Sequence, residues 1–485
     1  MSLPLVHRLP ADFSPAHAFA RLSGLPHCLW LDSATQGPTI AAGGDRVGRY
    51  SFLCAAPVAH LQASTGDENP WPRLQRWAAD LPPARRADLP PFQGGIAGLW
   101  GYEAAVWLDD TGVAAIDDLP TPAISVGLYD WVLAHDSLTG ASWIISQGFR
   151  DETFAIDAAF AQQRLQMVLQ TLGEPVAREP AAQPPSDHRS EPAAAPGQSP
   201  LNHFATDRPE VLSNFGSADY RAAVAEIIER IRRGDSFQVN LAQRLITPAR
   251  GDAAALYLRL RQANPAPLAG YYDGGSFQIA SSSPEGFLRL RQGIVQTRPI
   301  KGTAVRSGDP IADRLATESL RASTKDRAEN VMIVDLMRSD LSRVCEDDSV
   351  EVMQLCEIES YAFVQHLVSV VQGRLRSGVN AIDLLAACFP GGSVTGAPKV
   401  EAMRTIAQLE PHRRGPYCGS LGYVSCGGDA EFNILIRTIT ATGGWWQIPV
   451  GGGITAQSDP QAEERETWIK AEGMLRATCS GIMRP

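Results

Sequence analysis

Lys325-Asp326-Arg327-Ala328-Glu329-Asn330-Val331-Met332-Ile333-Val334-Asp335-Leu336 is the segment from which the rest of the chain can be read. Glu329, Ile333 and Leu336 share one helical stripe, and the run Val331 to Val334 is apolar on every side. This pattern predicts a helix that carries Glu329 inward. A buried carboxylate costs roughly several kcal/mol unless a cation accompanies it. An arginine in an internal ion pair or a metal ion would each meet that need, and the stripe does not choose between them.

Towards the C-terminus, Asp459 is placed to cap a last helix whose first turn holds Pro460. Glu463, Glu466 and Lys470 follow at i, i+3 and i+7. Glu466 and Lys470 also read as an ordinary surface pair worth about 0.3–0.5 kcal/mol. Upstream, the strand-like Trp445 to Val450 runs into Gly451-Gly452-Gly453, whose exposed N–H groups could hold a carboxylate or merely make a bend. Gly391 to Lys399 leads into another helix and superficially suggests a phosphate loop. Ala397-Pro398 follows Gly396, so it fails as a nucleotide motif; a hydroxyl and amides at a helix start could still seat a carboxylate. His366, taken by itself, reads as a satisfied core histidine. There is no zinc-spaced His/Cys cluster and no G-x-S-x-G.

The 485 residues include 43 Lys plus Arg against 53 Asp plus Glu, a net charge of −10, with 44% hydrophobic and 20% charged residues. That is a globular composition, without general attraction for nucleic acid or anionic membrane. No apolar run is long enough to span a bilayer, and Met1 to Arg8 lacks the basic-then-apolar pattern of a signal peptide. The eight cysteines form no C-x-x-C, and several have apolar neighbours, which predicts reduced core residues in a cytoplasmic protein.

Residues 1–172 alternate short apolar runs with Gly, Pro and Asp, predicting mainly strands closed by a helix around Ile156 to Leu172. Residues 173–203 form the expected linker; of the 28 residues from Gly173 to Pro200, seven are Pro and six Ala, too little apolar bulk for a core. In region 204–485, Tyr220, Val224, Ile227, Ile228 and Ile231 predict a helix that Gly234 ends. The expected fold is α/β or α+β, with large sheets and both halves sharing one core.

Only four of the 43 basic residues are lysines, namely Lys301, Lys325, Lys399 and Lys470. Where arginine is the default cation, a retained lysine marks a position for which a guanidinium is unsuited. A lysine amine can give up its proton and act as nucleophile or base; an arginine cannot.

Pro299-Ile300-Lys301-Gly302-Thr303, with Ser283-Pro284-Glu285 upstream and the Lys325 to Leu336 segment downstream, resembles the chorismate-utilising enzymes. Gly391 to Lys399, Ile436-Arg437-Thr438, Gly451 to Ile454 and Glu463-x-x-Glu466-Thr467-x-x-Lys470 extend the resemblance over about residues 215–480, in family order. Leu31-Asp32-Ser33, Arg49-Tyr50-Ser51-Phe52 and Gly101-Tyr102-Glu103 carry a looser likeness in the N-terminal half, where some relatives have a tryptophan pocket. The resemblance implies an anthranilate synthase component I-like sandwich of large antiparallel or mixed sheets with flanking helices. Anthranilate synthases usually have a small residue at the position of Lys301; P-I-K-G-T resembles the aminodeoxychorismate synthase branch. Anthranilate, isochorismate and salicylate synthases are the alternatives.

That likeness implies roles. Lys301 is the nucleophile that attacks C2 of chorismate and expels the C4 hydroxyl; ammonia then attacks C4 and expels the lysine. Glu285 is the general acid for the departing hydroxyl. Glu329, Glu466 and, through water, Glu463 are Mg²⁺ ligands. Arg437, Lys470, Thr395, Tyr423 and the amides of Gly452 and Gly453 bind substrate carboxylates, and His366 lies near the ring. One departure is Arg338-Ser339-Asp340, where relatives have Arg-Asn-Asp. No cysteine lies in G-x-C-x-G, so ammonia is expected from a separate glutamine amidotransferase subunit. Pyruvate elimination is expected on another enzyme, an aminodeoxychorismate lyase.

Overall fold

Residues 4–35, 46–83, 85–173, 200–306, 308–360 and 364–479 are described by a computed structural model. Their strands form one 13-stranded and one 10-stranded sheet, and each sheet draws on both halves of the chain. In the larger sheet, Leu29–Asp32 pairs with Ala269–Asp273, placing Trp30 opposite Tyr271. In the smaller one, Gly95–Trp100 pairs with Ser420–Ser425, placing Gly98 opposite Gly422. All named strand pairings are antiparallel, so the sheets follow the antiparallel rather than the mixed expectation. The core is shared accordingly. One apolar cluster joins Trp71, Trp100 and Ile124 to Ile227, Leu241, Phe287, Ile333 and Leu385. Among the described residues no helix is long and apolar enough to cross a membrane. All eight cysteines are unpaired, and seven are buried.

Locally encoded helices form where expected. Ser217–Arg233 ends at Gly234 with φ +92°, a left-handed cap that favours glycine. Pro460–Thr478 is capped by Asp459, whose side chain accepts from Ala462 N at 2.8 Å. Thr324–Ser342 starts at Ser323, which accepts from Asp326 N. The first half also contains two helices that its strand-like texture hid, Pro15–Leu22 and Trp71–Asp80. Both are short and carry proline in or next to the first turn. In the second, the buried Trp71, Leu74 and Trp77 give an i, i+3, i+6 stripe too brief to stand out.

Most of the expected linker, residues 174–199, lies outside the described residues. Its last residues are built into the fold. Leu201 N donates to Asp118 at 3.0 Å, and the Leu201 carbonyl accepts from the rings of His203 and His412.

A buried polar joint ties the halves together. Glu103, on the short 3₁₀ turn Tyr102–Trp107, accepts from Arg414 N at 2.8 Å and Gly415 N at 2.9 Å. The Arg414 guanidinium pairs with Glu410 at 2.6 Å and donates to the carbonyls of Val394 and Asn240 at 2.9 Å. Burial pushes the Glu103 carboxyl up to about 7, against the two backbone donors. Between the ordinary 4.5 and 7 the folded state therefore holds a proton that the unfolded chain releases. That contribution is fully present below pH 4.5 and is lost as pH rises through 7. Glu103→Gln is expected to flatten this slope, so that its Tm relative to wild type improves by about 2–4 °C between pH 5.5 and 8. Melts at the two pH values check it; parallel curves would contradict it.

Candidate active site

Lys301 lies on Ile300–Val305, whose pairing with Val364–Arg374 slips between Lys301 and Thr303. Gly302 makes the slip possible. Its φ is +62°, and a Cβ there would lie 2.6 Å from Leu320 Cδ1 and 3.0 Å from Asp326 Cγ. A bulge of this kind re-aims the neighbouring side chain. Lys301 Nζ reaches to 3.7 Å from Glu329 Oε2 on the helix Thr324–Ser342, and both side chains are nearly enclosed, 14% and 13% exposed. Glu329 thus points inward, as its stripe predicts.

Four carboxylates face this lysine and its neighbours. Burial raises the Glu329 carboxyl, while Lys301 and Lys325 pull it down; its Oε1 has no hydrogen-bond partner. Lys325 Nζ stands 4.0 Å from Glu329 Oε1 and 3.8 Å from Glu463 Oε1, so it bridges the two helices. Glu463 also accepts from Ser458 Oγ at 2.6 Å. At Glu466 burial works upward, yet Lys470 at 2.8 Å, with Lys325 and Lys301 beyond, holds the carboxyl below its usual range. Glu285 is buried at the start of Gly286–Arg291. Burial raises its pKa, opposed by a hydrogen bond from Ser393 and by the charge of Lys301. Glu329, Glu463 and Glu466 offer only oxygen donors, the chemistry that a hard divalent cation takes, and Glu329 Oε1 has no partner among the described residues, although the three carboxylates are not gathered within 4.8 Å of one another.

The opposite wall suits an anion. Arg437 sits at φ +51°, and its carbonyl accepts from Ser282 N at 3.1 Å, which hooks it beside the Ser283-Pro284-Glu285 turn. Burial lowers its pKa, and among the described residues no carboxylate pairs with its guanidinium. His366, opposite Thr303 in the ladder, is 4% exposed. Burial and the charge of Arg437 push its ring down to about 4, leaving a neutral imidazole bonded to the Gly302 backbone. Gly451 to Ile454 pairs with Val239 to Ala242 on one side, whereas the pairing with Thr438–Thr442 on the other side stops at Gln447. Alternate amides of the glycine run therefore lack a strand partner and can receive a carboxylate. A Cβ on Gly452 would lie 3.4 Å from Glu463 Oε2 and 3.5 Å from Lys470 Nζ, so this glycine faces the acidic cluster. One on Gly453 would meet Gln238 Nε2 at 2.6 Å, so Gly453 faces the other way.

Three expected substrate contacts are placed differently. Tyr423 is not at the site. Its hydroxyl accepts from Arg291 at 2.7 Å and its ring stacks on Phe92 at 4.5 Å. Arg291 ends the strand that Glu285 precedes, about 20 Å along it at 3.3 Å per residue. Cys418 hydrogen-bonds Leu435, next to the Ile434 amide that donates to the Glu285 carbonyl, so its neighbour Tyr417 is the tyrosine on this side. Thr395 is fully buried and turns its hydroxyl onto the Gly391 carbonyl at 3.1 Å, shaping the loop. Lys470 is engaged by Glu466 and by the Gly451 carbonyl, each at 2.8 Å. The i, i+4 pair expected from its spacing is formed, at the rim of the site. Ser393, two residues before Thr395, carries no sequence signal; only its hydrogen bond to Glu285 distinguishes it from a loop serine. Ser339 is exposed and touches none of these groups.

The family profile of chorismate binding enzymes matches residues 26–476. The chain is 36% identical to aminodeoxychorismate synthase component 1 of Salmonella typhimurium, covering 95% of this chain and 94% of that protein. It is 40% identical to its counterpart in Klebsiella aerogenes over 79% and 77%, and 37% identical to anthranilate synthase component 1 of Streptomyces coelicolor over 97% and 87%. Among solved structures, anthranilate synthase component I from Streptococcus pneumoniae superposes with a TM-score of 0.75 at 30% identity, covering 90% of this chain and 93% of that one. The menaquinone-specific isochorismate synthase MenF of Escherichia coli shares the fold, with a TM-score of 0.69 at 20% identity over 98% and 95%. Coverage of this extent establishes that the chain is an enzyme of the chorismate-binding family.

Proposed function

We propose that this enzyme acts as an aminodeoxychorismate synthase component I, replacing the C4 hydroxyl of chorismate with an amine on the route to 4-aminobenzoate and folate. The observation that carries the reading is Lys301, enclosed beside Glu329 and within electrostatic reach of Glu285. In the first displacement the Lys301 amine forms a bond to C2, the two conjugated ring double bonds both shift (C1=C2 to C1=C6 and C5=C6 to C4=C5), and the C4–O bond breaks. Glu285 gives its proton to the departing hydroxyl, which leaves as water. In the second, ammonia forms the C4–N bond, both double bonds shift back, and the C2–N bond breaks. The lysine leaves as an amine, and the proton shed by ammonia returns to Glu285. Arg437 and the free amides of the glycine run hold the carboxylates of the substrate. Glu329, Glu466 and Glu463 would hold Mg²⁺, which supplies charge neutralisation for a substrate carboxylate.

Ammonia comes from a separate glutamine amidotransferase subunit, and the product passes to an aminodeoxychorismate lyase. The similarity to anthranilate synthases, 37% over 97% of the chain, supports one competing reading, amination at C2. Lys301 argues against it, because it occupies the nucleophile's place. Product identity decides. The chain, chorismate, ammonium and Mg²⁺ are incubated at mildly alkaline pH, a pyridoxal-phosphate lyase is added, and the aromatic products are identified by mass spectrometry. 4-Aminobenzoate is expected; anthranilate or salicylate as the only aromatic product defeats the proposal.

A further inference from the structure

Asn330 adjoins Glu329 and is fully buried, yet no step above uses it. Its side chain joins three segments. Nδ2 donates to the carbonyls of Pro299 and Leu367, each at 3.5 Å. Oδ1 accepts from Ser369 Oγ and, at 3.6 Å, from Cys356 Sγ. Ser369 N donates to the same Pro299 carbonyl at 3.2 Å, and Ser369 Oγ accepts from Cys356 N at 2.8 Å. Pro299 lies two residues before Lys301, and Leu367 is its partner across the ladder. One amide therefore binds the helix of Glu329 to the strand of Lys301, to that strand's neighbour and to the edge strand Glu351–Ser360.

We propose that Asn330 is a positioning residue that sets the separation between the Lys301 amine and the Glu329 carboxylate. The reason lies in what Glu329 lacks. Its Oε1 has no hydrogen-bond partner, and its nearest cations stand at 3.7 and 4.0 Å. Among the described residues no short, directional contact from a protein group holds the carboxylate itself, so before a cation binds its place is inherited from the helix backbone. The adjacent peptide of that backbone is keyed to the Lys301 strand through Asn330. A hydrophobic residue of equal size would fill the space without fixing rotation or sliding of the helix against the strands; an amide with a donor on two carbonyls and an acceptor on a hydroxyl fixes both. The inference rests on the reading of Glu329 as a carboxylate that works with Lys301.

The test uses Asn330→Ala and Ser369→Ala in the full chain. In Asn330→Ala the Pro299 carbonyl keeps Ser369 N as a donor, so the strands retain a partner there. Chorismate consumption with ammonium is measured alongside Mg²⁺ affinity by titration calorimetry without substrate. Asn330→Ala is expected to lower kcat by about 100-fold with chorismate KM within about threefold, and to weaken Mg²⁺ binding by about tenfold. Ser369→Ala should move both in the same direction by less. In a Glu329→Gln background, Asn330→Ala should cost no more than about twofold further, because the group it positions is already gone. Additive losses in that background, or a kcat loss matched by the unfolded fraction with Mg²⁺ affinity unchanged, overturn the proposal. If the wild-type chain consumes no chorismate while the variants still weaken Mg²⁺ binding, the functional reading fails and the positioning role is supported.

Discussion

Lys301→Arg is expected to reduce amination of chorismate by at least about 10⁴-fold, with no covalent ring adduct in quenched reactions. The substitution keeps a cation beside Glu329, so the ion pair at 3.7 Å survives and the fold should lose no more than a few degrees of Tm. What it removes is nucleophilicity. A guanidinium holds its proton throughout the pH range of enzymes and offers no lone pair to C2. Mass spectrometry of the intact chain after rapid quench provides the measurement: wild type should carry a chorismate-derived mass on the peptide containing residue 301, and the variant none. An adduct in the variant, or activity within tenfold of wild type, would remove Lys301 from its role and return the site to chemistry that needs only the metal cluster.

Glu285→Gln should cost about 10³-fold in kcat, the range of a lost general acid, with chorismate KM little changed. The pH profile separates acid catalysis from mere shape. Burial raises the Glu285 carboxyl, so the wild-type protein keeps the active protonated form above the usual carboxylate range and loses it as pH climbs through the raised value. Ser393 hydrogen-bonds the carboxylate and favours its charged form. Ser393→Ala should therefore move the alkaline limb of kcat to higher pH, while Glu285→Gln should abolish that limb. An alkaline limb that persists unchanged in Glu285→Gln belongs to another group and would falsify the assignment.

The contrast between these residues shows which features are legible in a sequence. Gly234 and Asp459 end and begin helices through contacts made within four residues, so their meaning is local. The stripe of Glu329 also predicts its inward face correctly, because helical periodicity alone decides it. Tyr423 lies away from the site, against Arg291 and Phe92, and its motif does not reveal this. Strand residues alternate faces, but neither that alternation nor a motif tells how far along a strand a residue lies from the site, and Arg291 claims its hydroxyl. Ser393 and Asn330 carry no local signal at all. One is a serine in a glycine loop and the other a helix asparagine, until Glu285, Pro299 and Leu367 are brought against them.

The order of residues alone settled the chemistry on offer: a scarce lysine behind Pro299-Ile300, carboxylates at helical spacing, a glycine run after a strand, and helix ends in the right places. These depend on side-chain type and short-range backbone geometry. The folded molecule decided which of those groups meet. Lys301 and Glu329 are brought to 3.7 Å by a glycine bulge in one strand and a helix bound to its neighbours, and Arg437, itself in the left-handed region, is brought within electrostatic reach of His366, which bonds the Gly302 backbone. Such encounters follow from sheet register and core packing, which are sums over the whole chain.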